Sequence, residues 1–495
     1  MPEMIIPGTY IEVRAEGLIR PGAIAIGNVG IVGTARRGKL GNPSSATATP
    51  KVYRPANIGE AREIFGNSDA FDNPEEGTTE LTLIRALELA YANGARNVYA
   101  VRVASSSGTP AAYTLSAATG NIDIGSVAPG AGYNGATIAT STITPAAGSE
   151  PDLVDLASIS LDGIVETWRN VPADVGDFVQ VLNGDHPTYR YAVNASTGTG
   201  SRLFAFATGG ASGNVAAEAT AVQGTPGTNG PDTSSTQYVA GLAALANENV
   251  HIVVLAGQSG TAFESALASH VDTASNDLNR RERIGVIGSA PNPDASTIVP
   301  PSQDEGRIVF IAPGVKVTDS VSEREVPLSG GYAAAAVAGR ISSLDPHASP
   351  TNKTISANGL EKDFNATDLQ RLLLNHALPL ENRNGSLRVV RGLTTSTNTA
   401  WSQITTRRIV DYAKFGVRSA SNPFIGKLNN ERVRAALKGS INSFLAAMVD
   451  REMLISYELE VSATRDQEIR GIAQVTMVVR PTFSIDFIRV VMYLE

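Results

Sequence analysis

Helical segments and short apolar segments alternate in two stretches of the chain. Residues 78–94 carry apolar side chains at helical spacing, and the apolar segment "VYAVRVA" follows directly. The same order returns after residue 238, where "YVAGLAALANENVHIVVLAG" has the pattern of a helix and then a strand. This alternation predicts an α/β domain with a largely parallel or mixed sheet, formed by residues 21–103 and 238–374.

Residues 104–237 interrupt this alternation with a different composition. The first part, residues 104–149, contains a single charged residue, Asp123, among many Ala, Gly, Ser and Thr residues. Further on, "FVQVLNG" and "RLFAFATGG" are short alternating segments separated by turn residues. We therefore expect a β-rich domain inserted into the α/β domain.

The region from 375 to 480 predicts an α+β domain. Two helical segments, "WSQITTRRIVDYAKFGVRSA" and "NNERVRAALKGSINSFLAAMV", precede two alternating strands, "LISYELEV" and "IRGIAQVTMVVRP". The second helix carries an apolar stripe at helical spacing, consisting of Val433, Leu437, Ile441, Phe444, Leu445 and Met448.

Both ends of the sequence are apolar and extended in character. The apolar residues of the first segment, 1–20, are Ile5, Ile6, Tyr10, Ile11 and Val13. The last segment, 481–495, predicts a strand that is apolar on both faces, through Ile485, Phe487, Ile488, Val490, Val491, Met492, Tyr493 and Leu494. Such a strand is normally central in a sheet, yet no element follows it. Two interpretations stay open: the ends pair within their own subunit, or they add strands to neighbouring copies, which would build an open polymer.

Composition limits the function classes. The length of 495 residues predicts about three domains. The net charge of −8 and the lack of a basic block argue against nucleic-acid binding, and the absence of cysteine excludes disulfides and thiolate metal sites. There is no run of about 18 apolar residues and no secretory signal pattern, so we expect a chain made in the cytoplasm without membrane insertion.

The segment "GTARRGKL", Gly33 to Leu40, partly matches the phosphate-binding pattern G-x-x-x-x-G-K-[ST]. Leu40 occupies the position of the hydroxyl that would bind magnesium, and "GNPSSATATP" follows, which cannot begin a helix promptly. We therefore interpret the segment as a glycine-rich turn after a strand.

The search for catalytic and metal sites found no coherent set of residues. "VVLAGQSGTAFES" resembles a nucleophile elbow at Ser259, but Thr261 replaces the last glycine of G-x-S-x-G. We expect Ser259 to help begin the helix by capping or turn chemistry. None of the five histidines, His186, His251, His270, His347 and His376, has metal-ligand spacing. We therefore predict no enzyme and no cofactor, with a β-rich adhesin and a serine hydrolase as the alternatives.

Several motifs resemble one protein family. "PGTYIEV", Pro7 to Val13, and "GNVGIVGTARRG", Gly27 to Gly38, resemble the N-terminal signature of bacteriophage contractile-tail sheath proteins. "TTRRIVDYAKFGVR" and "NPFIGKLNNERVRAALKGSINSFLAAMVDREML" resemble the C-terminal helices of that family and the loop after them. The motifs are spread over nearly the whole chain, and residues 104–237 are the least covered part.

The resemblance implies a structural subunit of a phage tail. Sheath subunits form hexameric rings stacked around a tail tube, with the C-terminal domain inside and the inserted domain outside. Terminal arms join the sheets of adjacent subunits, so the sheet of the C-terminal domain is completed by neighbours. Contraction, triggered at the baseplate, drives the tube through the cell envelope for genome delivery.

The resemblance also implies partners and a location. The expected partners are other copies of the chain, the tail tube protein, and the baseplate and tail terminator proteins, without nucleic-acid contact. The expected location is the virion tail, assembled in the host cytoplasm. For the tube contact, we expect the polar face of the 429–449 helix to contribute Arg434 and Lys438, with Lys427 beside it.

Overall fold

The computed structural model describes residues 27–41, 50–71, 80–145, 151–187, 200–230, 233–301, 303 and 305–493. Contacts divide the chain into two compact units. The larger unit comprises Gly27–Leu344 and Pro350–Ile404, and the described part of the C-terminal unit comprises Asp345–Ser349 and residues 405–493. Within the described residues, every helix is too short or too polar to cross a membrane.

The larger unit contains nineteen of the strands and seven of the α-helices found among the described residues. In chain order they are β1 Val29–Thr34, α1 Ile58–Phe65, α2 Leu83–Ala92, β2 Val98–Val103, β3 Ala112–Thr119, β4 Asn121–Ser126, β5 Thr137–Thr140, β6 Ile143–Thr144, β7 Leu153–Leu161, β8 Ile164–Pro172, α3 Val175–Asn183, β9 Phe204–Ala207, β10 Ser212–Val215, β11 Val222–Thr225, α4 Ser235–Ala244, β12 Ile252–Leu255, α5 Thr261–Ser275, β13 Ile284–Gly288, β14 Ile308–Ala312, β15 Val315–Thr318, β16 Glu325–Leu328, α6 Gly330–Ser342, β17 Gly359–Leu360, α7 Ala366–Leu374, β18 Leu378–Arg383 and β19 Ser386–Val389.

A seven-stranded sheet forms the centre of the larger unit. Its order is β19-β18-β14-β13-β12-β1-β2, and every neighbouring pair is parallel except the β18–β19 hairpin. Alternate residues of β1 face opposite layers: Val29 and Ile31 pack with α2 and α6, whereas Val32 packs with α4 and α5. Burial on both faces explains why these strands are continuously apolar. The mixed α/β class predicted from the sequence is confirmed.

Helix α6 lies in the centre of this unit because it is built from small residues. Its segment "GGYAAAAVAG" is buried throughout. A Cβ atom at Gly339 would lie 2.4 Å from the carbonyl oxygen of Ala90 in α2, closer than real Cβ atoms come. Only glycine at this position therefore allows the two helices to approach so closely.

The region after residue 375 continues the seven-stranded sheet. β18 runs parallel to β14, and β19 closes that edge as its hairpin partner. The contact boundary therefore falls at Thr405, later than the expected boundary at 375. Beside this sheet, β15, β16 and β17 form a three-stranded antiparallel sheet.

The strands between β2 and α4 make sheets of their own. One sheet has the order β10-β3-β4-β9 with β11 also paired to β3, and the other joins β5, β6 and β8 to β7. A separate core that includes Trp168, Phe178 and Phe204 lies between them and α3. Because Tyr238 of α4 packs into the core of the seven-stranded sheet, α4 belongs to that sheet. We refer to residues 104–230 as the inserted segment.

The C-terminal unit contains α8 Ile404–Ser421, α9 Glu431–Asp450, β20 Leu454–Ser462, α10 Arg465–Ile469 and β21 Gln474–Pro481. The predicted stripe of α9 is buried at Leu437, Ile441, Phe444, Leu445 and Met448, and Val433 is half-buried. A Cβ atom at Gly416 of α8 would lie 1.8 Å from the ring of Phe444. The missing side chain at this glycine therefore makes room for the aromatic ring.

Candidate assembly surface

Strands β20 and β21 form an antiparallel hairpin with one apolar face. Their inward residues, Tyr457, Leu459, Val461, Val475, Met477 and Val479, pack against the core formed with α8 and α9. The residues between them, such as Glu458, Glu460 and Thr476, are exposed. This period of two orients the hairpin and places its backbone along the side of the C-terminal unit.

The hairpin leaves strand edges that other segments can use. In the described part of the chain, β20 and β21 pair only with each other. A two-stranded sheet has an open edge on each side, and exposed edges are ready to accept a further strand.

The segment after β21 carries large exposed apolar side chains. Strand β21 ends at Pro481, and the structure assigns no strand to residues 482–493, in contrast to the strand predicted there. A strand is assigned only where a ladder of backbone hydrogen bonds joins two segments, and among the described strands no ladder includes residues 482–493. Ile485 is 82% exposed and Tyr493 is 88% exposed, and the other exposed side chains are Phe483, Phe487, Ile488, Val490, Val491 and Met492.

We call residues 482–493 the tail. Eight large apolar side chains on one short segment are unusual for a surface that stays in water, and contiguous apolar surface of this kind marks an interaction site. The expected N-terminal arm, with Ile5, Ile6, Tyr10, Ile11 and Val13, lies outside the described residues. The tail and the edges of the hairpin are therefore the candidate assembly surface among the described residues.

The three expected tube-contact residues have different surroundings. The Arg434 guanidinium lies 2.9 Å from Glu468 Oε1 and 2.9 Å from Asn429 Oδ1. Lys427 Nζ lies 4.8 Å from the ring centroid of Phe424. Lys438, one turn after Arg434 on α9, is exposed. Arg434 is thus half-buried and paired with Glu468, whereas Lys427 and Lys438 are both exposed.

The backbone groups of the Gly33–Leu40 turn make hydrogen bonds to other residues of the protein. The turn begins at the last two residues of β1, and its amide at Gly38 donates to Tyr133 Oη at 2.9 Å. The buried Arg102 guanidinium donates to the carbonyl oxygens of Ala35 and Gly38. The first described helix after it, α1, begins only at Ile58. The segment is a turn, as interpreted from the sequence, and its groups are used for internal contacts.

Polar side chains also meet at the carboxyl end of β1 and β12. In open α/β sheets this crevice is the usual ligand site. Here Thr34 and Thr82 hydroxyls lie 3.2 Å apart, and the Thr82 hydroxyl lies 3.5 Å from that of Tyr238. Tyr332 closes the same region by donating to the Glu80 carboxylate. The polar side chains at this edge of the sheet thus contact one another.

Ser259 does not cap helix α5, because the N-cap residue is Gly260 and no side chain makes the capping hydrogen bond.

His270, which lies on helix α5, has its Nε2 atom 2.9 Å from Arg283 Nη1. Burial and the nearby Arg283 charge lower the pKa of His270 to about 4. The histidine is therefore neutral at pH 7 and accepts a hydrogen bond from the arginine.

Comparison with known proteins identifies the family. Residues 232–395 match the family model of the phage tail sheath protein central domain, and residues 396–495 match that of the phage tail sheath C-terminal domain. Together the two matches cover more than half of the chain. The comparison with curated proteins found no match.

Solved structures share the fold at low sequence identity. The sheath tail protein of Listeria innocua has a TM-score of 0.66 and 14% identity, with 94% of each chain covered. The sheath tail protein of Desulfitobacterium hafniense has a TM-score of 0.61 and 15% identity, covering 96% of this chain and 100% of that one. The contracted sheath complex of an extracellular contractile injection system (PVC) has a TM-score of 0.55 and 12% identity, covering 100% and 99%. The chain therefore belongs to the phage tail sheath family and is a subunit of a contractile sheath.

Proposed function

We propose that the chain polymerises as hexameric rings stacked around a tail tube, and that contraction of this polymer drives the tube through the host envelope for genome delivery. Family membership supports the contractile role. The observation that carries the assembly mechanism is the combination of an exposed apolar tail with a hairpin whose two strands, among the described residues, pair only with each other. One chain thus provides both a segment that can be added as a strand, the tail, and a sheet that can receive one, the hairpin.

The tail adds a strand to the hairpin of a neighbouring subunit. Its twelve residues span about 40 Å when extended, at about 3.3 Å per residue, which is far enough to reach an adjacent copy. Backbone hydrogen bonds would supply the connection, and each fully buried aliphatic side chain would contribute about 1.5–3 kcal/mol. Because each subunit gives one strand and receives another, the contact is heterologous and extends into an open polymer.

Residues 1–20 form the second arm in this proposal, and they pair with the same hairpin. A sheet made of strands from different subunits keeps copies connected while the subunits rotate. The C-terminal unit forms the inner layer next to the tube, and the inserted segment forms the outer layer. Baseplate and tail terminator proteins contact the two ends of the polymer, which is assembled in the host cytoplasm and is not an enzyme.

Lys438 is the residue of α9 proposed to face the tube. The Lys438→Glu variant should bind the tube protein about tenfold more weakly, because reversing one exposed charge in a contact adds repulsion worth about 1 kcal/mol or more. Co-sedimentation with purified tube measures this change. Lys353→Glu, which reverses an exposed charge on the larger unit, is the matched control. Equal tube binding by both variants would remove Lys438 from the tube contact.

The experiment that tests the function is electron microscopy of the purified chain. We expect tubular polymers with a central channel and sixfold symmetry in end views. A chain that forms only closed dimers, or tubes of another rotational symmetry, would contradict the ring model.

A further inference from the structure

Arg102 is a charged residue inside a buried strand. Its side chain projects from β2 and is completely shielded from solvent. Burial lowers the pKa of the Arg102 guanidinium to about 10, so it stays protonated at neutral pH. A buried charge is tolerated when its hydrogen bonds are made, and the acceptors therefore show what the residue holds.

The acceptors of Arg102 come from two parts of the larger unit. Nε donates to the Ala35 carbonyl at 2.8 Å and Nη1 donates to the Gly38 carbonyl at 2.7 Å, both in the turn after β1. Nη2 donates to the Pro129 carbonyl at 2.6 Å and lies 3.4 Å from Asn229 Oδ1, both in the inserted segment. One guanidinium thus connects the seven-stranded sheet, the turn and the inserted segment.

Backbone groups of the turn also contact the inserted segment directly. The Gly38 amide donates to Tyr133 Oη, and the Gly132 amide donates to the Arg36 carbonyl at 3.3 Å. A Cβ atom at Gly130 would lie 2.2 Å from that carbonyl oxygen. The backbones of the turn and of the inserted segment therefore come so close that only glycine fits at position 130.

An ion pair extends the same contact. Arg37 Nη1 lies 3.0 Å from Asp162 Oδ2, at the turn between β7 and β8. The arginine side chain is 3% exposed and the aspartate side chain is 52% exposed. The turn therefore touches the inserted segment at residues 129–133 and at Asp162, and its Leu40 packs into the hydrophobic core of that segment.

The covalent connections alone would not hold the inserted segment in one orientation. The chain enters it after β2 and leaves it before α4, and the two connecting strands run side by side through the Thr109–Thr228 bridge. Because the two connections lie side by side, the inserted segment could rotate about them as about a single hinge. Contacts away from that hinge are needed to stop rotation about it.

We propose that the Gly33–Leu40 turn is a latch, with Arg102 and Tyr133 as its positioning residues, that locks the inserted segment onto the seven-stranded sheet so that both move as one body when the sheath contracts. A force on the inserted segment is then transmitted to the sheet and does not bend the hinge. This assigns a role to the motif "GTARRGKL" that is independent of phosphate binding.

Distance measurements between two spin labels test the latch in the full-length chain. The chain has no cysteine, so Thr119→Cys in the inserted segment and Ser269→Cys on α5 introduce labels at two exposed positions. Labelled protein is diluted into unlabelled protein, so that only distances within one subunit are measured. We expect one narrow distance distribution for this doubly labelled parent.

Two tyrosine variants form a matched pair. Tyr133→Phe removes the hydroxyl that accepts from Gly38 across the contact. Tyr113→Phe removes a buried hydroxyl whose partners, Tyr133 O and Ala136 N, lie inside the inserted segment. We expect Tyr133→Phe to broaden the distance distribution about twofold, because the latch opens as a local unit, and Tyr113→Phe to leave it unchanged.

Arg102→Met should broaden the distance distribution further than Tyr133→Phe does. If Arg102→Met fails to fold, the comparison of Tyr133→Phe with Tyr113→Phe is the deciding test. Hydrogen exchange of the peptide covering residues 33–41 should become about tenfold faster in Tyr133→Phe and stay unchanged in Tyr113→Phe. Equal distributions and equal exchange in the two tyrosine variants would overturn the latch, as would a broad distribution in the doubly labelled parent.

Discussion

Removal of residues 482–495 is expected to abolish polymerisation and leave the subunit folded. The core of the C-terminal unit is made by α8, α9 and the hairpin, and the tail side chains are exposed outside it. Sedimentation velocity measures the polymer, and thermal unfolding measures the subunit. A truncated chain that still forms polymer at the same critical concentration would contradict strand exchange through the tail.

Proline substitutions distinguish strand pairing from simple apolar contact. Backbone amides of a strand point alternately to its two sides, so Ile488→Pro and Arg489→Pro remove hydrogen-bond donors on opposite sides. A lost ladder bond with an unsatisfied partner costs about 2 kcal/mol, equivalent to about a thirtyfold higher critical concentration.

The two prolines give different outcomes for the two possible positions of the tail strand. Both should disrupt assembly if the tail is a central strand, and only one should do so if it lies at an edge. Ile488→Ala and Arg489→Ala are the controls for lost side chains. If neither proline exceeds its alanine control, the tail does not pair through its backbone.

Acid is expected to destabilise the larger unit through His270. Burial and the Arg283 charge lower the pKa of this histidine from 6.5 to about 4. Between pH 6.5 and pH 4, His270 is therefore protonated in the unfolded chain and neutral in the folded chain. Stability is therefore unaffected above pH 6.5 and falls as the pH drops towards 4, by about 3 kcal/mol in total.

The His270→Gln variant isolates this contribution. A glutamine amide oxygen accepts from Arg283 without titrating, so the difference in unfolding free energy between the two proteins should change with pH over this window. Urea unfolding at pH 7.5 and pH 4.5 measures it. Carboxylates titrate in both proteins and cancel in the comparison, and an equal acid sensitivity of both proteins would show that His270 is not the cause.

The sequence allowed prediction of local elements where one periodicity dominated. The apolar stripe of α9 and the strand "VYAVRVA" were recognisable because burial on one face or on both faces leaves a direct pattern in the residues. Which sheet a strand joins depends on distant partners, so the pairing of β18 with β14 is not predictable from the sequence.

The polar contacts depended even more on distant residues. Arg434 is predicted as a tube contact from the polar face of α9 alone, and its ion pair with Glu468 of α10 joins two residues that are 34 positions apart in the sequence. Arg102 was missed, since its acceptors at Ala35, Pro129 and Asn229 lie far away in the sequence. An arginine within an otherwise apolar strand was the signal that could have identified it.

The central claim is that the tail of one subunit completes the hairpin sheet of another. A cryo-electron microscopy reconstruction of the polymer, at a resolution that traces the backbone, tests it most directly. The account predicts that residues 485–493 form a strand hydrogen-bonded to β20 or β21 of an adjacent copy. A tail strand paired with the hairpin of its own chain, or a tail outside any sheet, would contradict it.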